Sequence, residues 1–130
     1  MPAKMKKGFR QLVDEANAEI ETLTVEQAKK LQGDPNVLLV DIRDIRELER
    51  EGVVPGAFHA PRGMIEFWVD PDSPYFKPIF GEGKKYVFFC PAGWRSALTA
   101  KTVQDMGLTP VAHIDGGFTA WRDTGGPVEK

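Results

Sequence analysis

A chain of 130 residues with 42% hydrophobic and 28% charged side chains carries apolar material for one compact domain, leaves little room for a second, and is not a disordered composition. Its formal charge of -2 gives no general attraction to a phosphate backbone, so nucleic acid is not an expected partner. A single cysteine excludes an internal disulfide, and with only two histidines beside it no thiolate-rich metal site or other cofactor is expected.

No run approaches the length of a membrane span, and Lys4, Lys6 and Lys7 are not followed by an apolar stretch of the secretory kind. A cytoplasmic protein with no membrane partner is the expectation. Residues 9–20 place Phe9, Leu12, Val13, Ala16 and Ile20 at helical spacing, an amphipathic helix forming an N-terminal extension over 1–20 ahead of a domain over 21–130. Residues 20–23 suit a short strand. Thr24 with Gln27 then reads as a capping box opening a helix to about Leu31, with Gly33 as its stop.

Residues 37–42 form an apolar run that includes Asp41, as expected for a strand buried on both faces. Asp44 with Glu47 caps a short helix holding Ile45 and Leu48. Residues 53–60 read as extended, with Pro55-Gly56 as a turn, and residues 64–69 as a helix. A proline-rich segment, 71–83, follows; Trp68, Tyr75 and Phe76 bracket it, as a roof over a pocket or as simple packing. Residues 86–90 make a third apolar strand that breaks into Pro91-Ala92-Gly93. From about Ser96 a helix presents Leu98, Thr99, Thr102, Val103 and Met106 on one face and stops at Gly107. A last strand over 111–114 leads through Gly116-Gly117 to a short helix around Trp121.

Strands alternating with helices predict an α/β fold of three layers, a central parallel sheet flanked by helices, with the N-terminal helix added. In such sheets ligands bind beyond the carboxyl ends of the strands. Cys90 sits at one of those ends.

Residues 90–96, Cys-Pro-Ala-Gly-Trp-Arg-Ser, join that strand to the next helix. A loop so short curls its backbone N–H groups inward, an anion-binding nest at a helix N-terminus. Gly93 permits the tight curl, Ser96 is placed to cap the helix, and Arg95 brings a full positive charge. A thiol held there gains a reason to ionise. The helix terminus contributes about 0.3–1 kcal/mol, and ~2 when partly buried, so converging N–H groups must supply the rest by direct hydrogen bonds. The same residue types also occur at an inert cysteine that merely ends a core strand. Gly, Arg and Ser at fixed offsets favour the nucleophile.

At these residues the chain resembles the rhodanese family, whose active-site loop has the form Cys-x-x-Gly-x-Arg-Ser. Three further segments are similar, in the family's order: Val40-Asp41-Ile42-Arg43, residues 51–57 running from Glu51 through Pro55-Gly56 to Ala57, and residues 115–121 with Gly116, Gly117, Phe118 and Trp121. The resemblance covers roughly residues 22–128. It implies the rhodanese α/β fold and a sulfurtransferase reaction in two steps. Cys90 attacks the outer sulfur of a small anionic donor such as thiosulfate, sulfite leaves, and the Cys90 persulfide passes its sulfur to cyanide or a thiol. The loop residues Pro91, Ala92, Gly93, Trp94, Arg95 and Ser96 would line the site. Thiosulfate-specialised two-domain members carry basic residues just after the cysteine, whereas Pro91 and Ala92 are neutral, which speaks against thiosulfate as the physiological donor.

Asp41, Arg43 and Glu51 are expected to support the loop rather than touch substrate, with Arg43 and Asp41 bonded to the loop or to Glu51. Arg62 is the candidate for a second anion contact, Trp94 for a substrate wall or partner surface. His59 and His113 are expected to be structural. Two rival functions remain: a non-enzymatic persulfide relay that receives sulfur from a partner protein, and a cysteine-based phosphatase. Such phosphatases place five residues between Cys and Arg to wrap a phosphate; Cys90 and Arg95 are separated by four.

Overall fold

The computed structural model describes residues 2–130. Its strands form one five-stranded, all-parallel sheet ordered β1-β5-β4-β2-β3, from Glu21–Leu23 (β1), Val37–Asp41 (β2), Phe58–His59 (β3), Lys85–Phe89 (β4) and Val111–Ile114 (β5). This is the expected α/β architecture. The central pairing is β2 with β4, Val37 opposite Lys85 through Asp41 opposite Phe89, so Asp41 and Cys90 emerge at the same end of the sheet.

The helices are Phe9–Glu19 (α1), Val25–Leu31 (α2), Ile45–Glu51 (α3), Ile65–Val69 (α4), Trp94–Met106 (α5) and Gly117–Asp123 (α6). Two start where local chemistry says they should. Thr24 and Gln27 satisfy each other's backbone N–H groups at α2, and Asp44 and Glu47 do the same at α3. Each such cap contributes about 1 kcal/mol.

The apolar strands bury both faces, and alternation along β4 divides the core. Tyr86, Phe88 and Cys90 face one cluster, filled by Val13, Ala16 and Ile20 near α1, Ile65 and Val69 of α4, and Ala97, Ala100 and Val103 of α5. Val87 and Phe89 face the other, filled chiefly by Ala28 of α2 and by Phe118 and Trp121 of α6. Of the apolar positions expected along the first helix, Phe9 and Leu12 remain exposed.

The buried side of α5 differs from the expected one. It consists of Ser96, Ala97, Thr99, Ala100 and Val103, while Met106 is 44% exposed. Small side chains let the helix lie close on β4 and β5. Selecting the bulkiest apolar residues rotates the face away from the one that packs. The 71–83 segment is anchored by Phe80, buried against Phe58 and Tyr86, and by the Tyr86 hydroxyl donating to the Ile79 carbonyl at 2.7 Å.

Candidate active site

Cys90 follows the last residue of β4 and is 1% exposed. Its sulfur lies inside the curl of the loop: the Gly93 N–H donates to Sγ at 3.2 Å and the Ser96 N–H at 3.3 Å. Gly93 makes this possible, since it sits at φ +100°, a left-handed conformation that a side chain resists. It also occupies the N-cap position of α5, with no side-chain cap. The expected capping role of Ser96 is therefore corrected. Ser96 lies within the first turn, and its hydroxyl oxygen instead accepts from the Cys90 thiol, 3.6 Å from Sγ.

The loop is clamped from outside by α6. The Phe118 N–H donates to the Cys90 carbonyl at 2.8 Å, and the Thr119 N–H to the Pro91 carbonyl at 3.1 Å. Two carbonyls leaving the sheet thus satisfy N–H groups at the start of a helix. So close an approach requires glycine at 117, where an added Cβ would lie 2.0 Å from the Cys90 carbonyl oxygen.

Arg95 does not face the sulfur as a free charge. It grips Glu47 of α3 in a fork, Nη1 to Oε1 at 2.9 Å and Nη2 to Oε2 at 3.1 Å. These bonds hold the Glu47 carboxyl below the ordinary glutamate range. Glu47 also accepts from the Asp44 N–H, so one carboxylate ties the start of α3 to the start of α5. Sequence reasoning gave Glu47 only its capping role; nothing local identifies a partner 48 residues away.

Arg43 is fully buried and pairs with Asp41, Nη2 to Oδ2 at 2.7 Å, with a second bond from Nη2 to the Gly52 carbonyl at 2.9 Å. Its guanidinium lies over the Phe118 ring, 3.9 Å from the centroid. The pair thus joins the end of β2 to the helix that clamps the loop. Glu51 is not its partner, contrary to expectation: Glu51 reaches Arg50 and Arg122 at the surface, and Arg43 takes the neighbouring Gly52 carbonyl instead. Arg62 follows β3 at the same end of the sheet and pairs with Glu66 at 2.8 Å, about one-third exposed. His59 lies within hydrogen-bond distance of the Arg43 carbonyl, Nε2 to O at 2.7 Å. Trp94 is half-exposed and tilts against Phe9 of α1, ring centroids 4.8 Å apart.

A polar chain leads from the sulfur through buried His113 to the exposed Asn17 of α1. Ser96 Oγ is 2.9 Å from His113 Nδ1, and His113 Nε2 is 2.8 Å from Asn17 Oδ1 on α1. Burial pushes the His113 imidazole below its ordinary value, against the opposing charge of Asp115. Placing His113 on a buried strand anticipated its burial but not this connection. The one signal was a polar residue inside an apolar strand, which must find partners.

Two other features bear on what the site can do. A cavity of about 350 Å³ lies between Val69, Phe80 and Met106, at the far end of α5 from Cys90, and its lining holds no cysteine, serine or histidine. Among the described residues no group of three or more His, Cys, Asp or Glu side chains is arranged to hold a metal ion. No helix among them is long and apolar enough to cross a membrane.

Residues 24–124 match the model of the rhodanese-like domain. A rhodanese domain-containing protein of Drosophila melanogaster is 27% identical over 103 residues, covering 75% of this chain and 93% of the fly protein. Among solved structures, a Rhodopseudomonas palustris protein of unknown function, described as a possible tyrosine phosphatase, is 60% identical over 99% of both chains, with a TM-score of 0.96. The polysulfide-sulfur transferase homodimer of Wolinella succinogenes is 29% identical, covering 93% of this chain and 86% of its own, with a TM-score of 0.70.

Proposed function

The chain belongs to the family of rhodanese-like domains, a sulfurtransferase family, and on that premise we propose that it carries sulfane sulfur as a persulfide on Cys90. The observation that carries this reading is the sulfur held by two backbone N–H groups, from Gly93 and Ser96, in a loop with four residues between Cys90 and Arg95. Fixed dipoles aimed at sulfur favour its anion in both halves of the reaction. As the thiolate it attacks the outer sulfur of a donor; the Sγ–S bond forms while the donor's own bond to that sulfur breaks toward the leaving group. The persulfide then yields its terminal sulfur to cyanide or a thiol. Neutral Pro91 and Ala92 favour a donor other than thiosulfate in the cell, such as a polysulfide or a protein persulfide. A lone thiol chemistry of this kind suits the reducing cytoplasm.

The description of the Rhodopseudomonas protein favours one second reading, a tyrosine phosphatase. A phosphoryl group brings three equatorial oxygens and needs a wide ring of donors. Here the short loop closes on the sulfur itself, and the arginine that would clasp those oxygens is held by Glu47. A smaller cradle suits one added sulfur atom. Thiocyanate formation from thiosulfate and cyanide, run beside hydrolysis of an aryl phosphate, tests the choice. Sulfur turnover that is lost in Cys90→Ser, with no phosphate release, supports the sulfurtransferase. Phosphate release without sulfur turnover overturns it, and sulfur taken only from a donor protein identifies a relay module.

A further inference from the structure

We infer that Ser96, His113 and Asn17 form a proton relay that takes the thiol proton from Cys90 and returns it once sulfur has been passed on. Asn17 and His113 act on the sulfur through Ser96 and are positioning residues. The proposal rests on the sulfur-transfer reading only for what the anion does afterwards.

The direction of each hydrogen bond follows from the last one. Asn17 Oδ1 can only accept, so His113 Nε2 carries the hydrogen and Nδ1 is left with its lone pair. Nδ1 therefore accepts from the Ser96 hydroxyl, 2.9 Å away, and the Ser96 oxygen is free to accept from the thiol at 3.6 Å. Every bond points from Cys90 toward His113. A concerted shift moves the thiol hydrogen to Ser96 Oγ and the hydroxyl hydrogen to Nδ1, leaving a thiolate, an intact serine and an imidazolium. The serine O–H then points back at sulfur, a third donor beside the N–H groups of Gly93 and Ser96.

Four elements supply the chain: Cys90 directly follows β4, α5 brings Ser96, β5 brings His113 and α1 brings Asn17. Asp115, just past β5, is the charged group whose charge acts on the imidazole, and it favours the proton. Burial of His113 opposes its charging, which keeps the resting imidazole neutral and able to accept. With thiosulfate the balance is thiol plus dianion giving persulfide anion plus sulfite dianion, the proton resting on His113. When the persulfide gives up its outer sulfur, the Cys90 thiolate regains that proton. Asn17 lies outside the segment matched by the family, so the N-terminal helix completes the site.

The test follows the ultraviolet absorbance of the thiolate against pH, with Cys90→Ala as the baseline; the single cysteine makes the signal unambiguous. His113→Asn keeps an acceptor for Ser96 but takes no proton, and should move the thiolate midpoint upward, with about tenfold less thiolate at a pH below it. Asn17→Asp places a carboxylate behind the imidazole, favours the imidazolium, and should move the midpoint downward. Opposite displacements support the relay; unchanged midpoints, or displacements in one direction as general loosening would give, overturn it. Should either variant fail to fold, the imidazole NMR signals of the wild type decide, since only His59 and His113 contribute. The relay requires His113 to protonate at higher pH in the wild type than in Cys90→Ala, because the coupling is reciprocal. Equal or lower protonation overturns it. Neither measurement uses a sulfur donor, so each stands apart from the outcome of the turnover assay.

Discussion

The charge of Arg95 reaches Cys90 only in part, because Glu47 holds the guanidinium by two bonds. The pair therefore matters as a brace for the loop, and its pH dependence has a definite sign. The Glu47 carboxyl is held below its ordinary value by the hydrogen bonds from Arg95. Its stabilisation is present above the ordinary glutamate range and is lost as pH falls through the depressed value. Arg95 is 43% exposed on its side chain, so solvent screening limits the effect to about 1 kcal/mol or less. Glu47→Gln should thus lower the thermal midpoint at neutral pH, and the gap from the wild type should close on acidification. A gap that stays constant into acid would assign the loss to something other than the carboxylate. Arg62 makes a different prediction. Its partner Glu66 is four residues away on the surface, so the guanidinium can turn to an incoming anion. Arg62→Ala should raise the KM for anionic donors severalfold with little change in kcat; an unchanged KM would contradict the second anion contact.

At the scale of elements, the geometry of the site rests on the contact between the start of α6 and the end of β4. Gly117 sits at φ +55° and its missing side chain is where the Cys90 carbonyl goes. Gly117→Ala should cost about 2 kcal/mol or more through strain and the lost bonds to the loop, and persulfide loading should fall with it. Retention of both stability and loading would show that the clamp is unnecessary. The same elements show which features are legible in a sequence. The capping boxes at Thr24 and Asp44 are local, complete within four residues, and could be read directly. The buried face of α5 could not, because Ala97 and Ala100 carry little hydrophobic signal and are chosen by the approach of the sheet. Ser96 was misjudged for a related reason. A serine near a helix start favours the cap, but here the left-handed Gly93 takes that position and leaves the Ser96 hydroxyl oxygen to accept from the Cys90 thiol.

Across the whole molecule, the parallel sheet gathers to one end what the sequence scatters. Asp41, Arg62, Cys90 and Gly117 all follow or close strand ends there, and the βαβ alternation made that arrangement predictable. The long-range pairs were not predictable: Arg95 with Glu47 across 48 residues and His113 with Asn17 across 96 depend on how helices pack, for which a single sequence holds no pattern. The helix α1 illustrates the point, since its amphipathic spacing foretold a packed face but not that Asn17 would meet a strand histidine. The central claim concerns one atom, the sulfur of Cys90, and intact-mass spectrometry tests it most directly. Treatment with thiosulfate or a polysulfide should add one sulfur, about 32 Da, to the wild type and none to Cys90→Ser, and cyanide should remove it. A mass unchanged by every sulfane donor, or an adduct that persists in Cys90→Ser, would contradict the account.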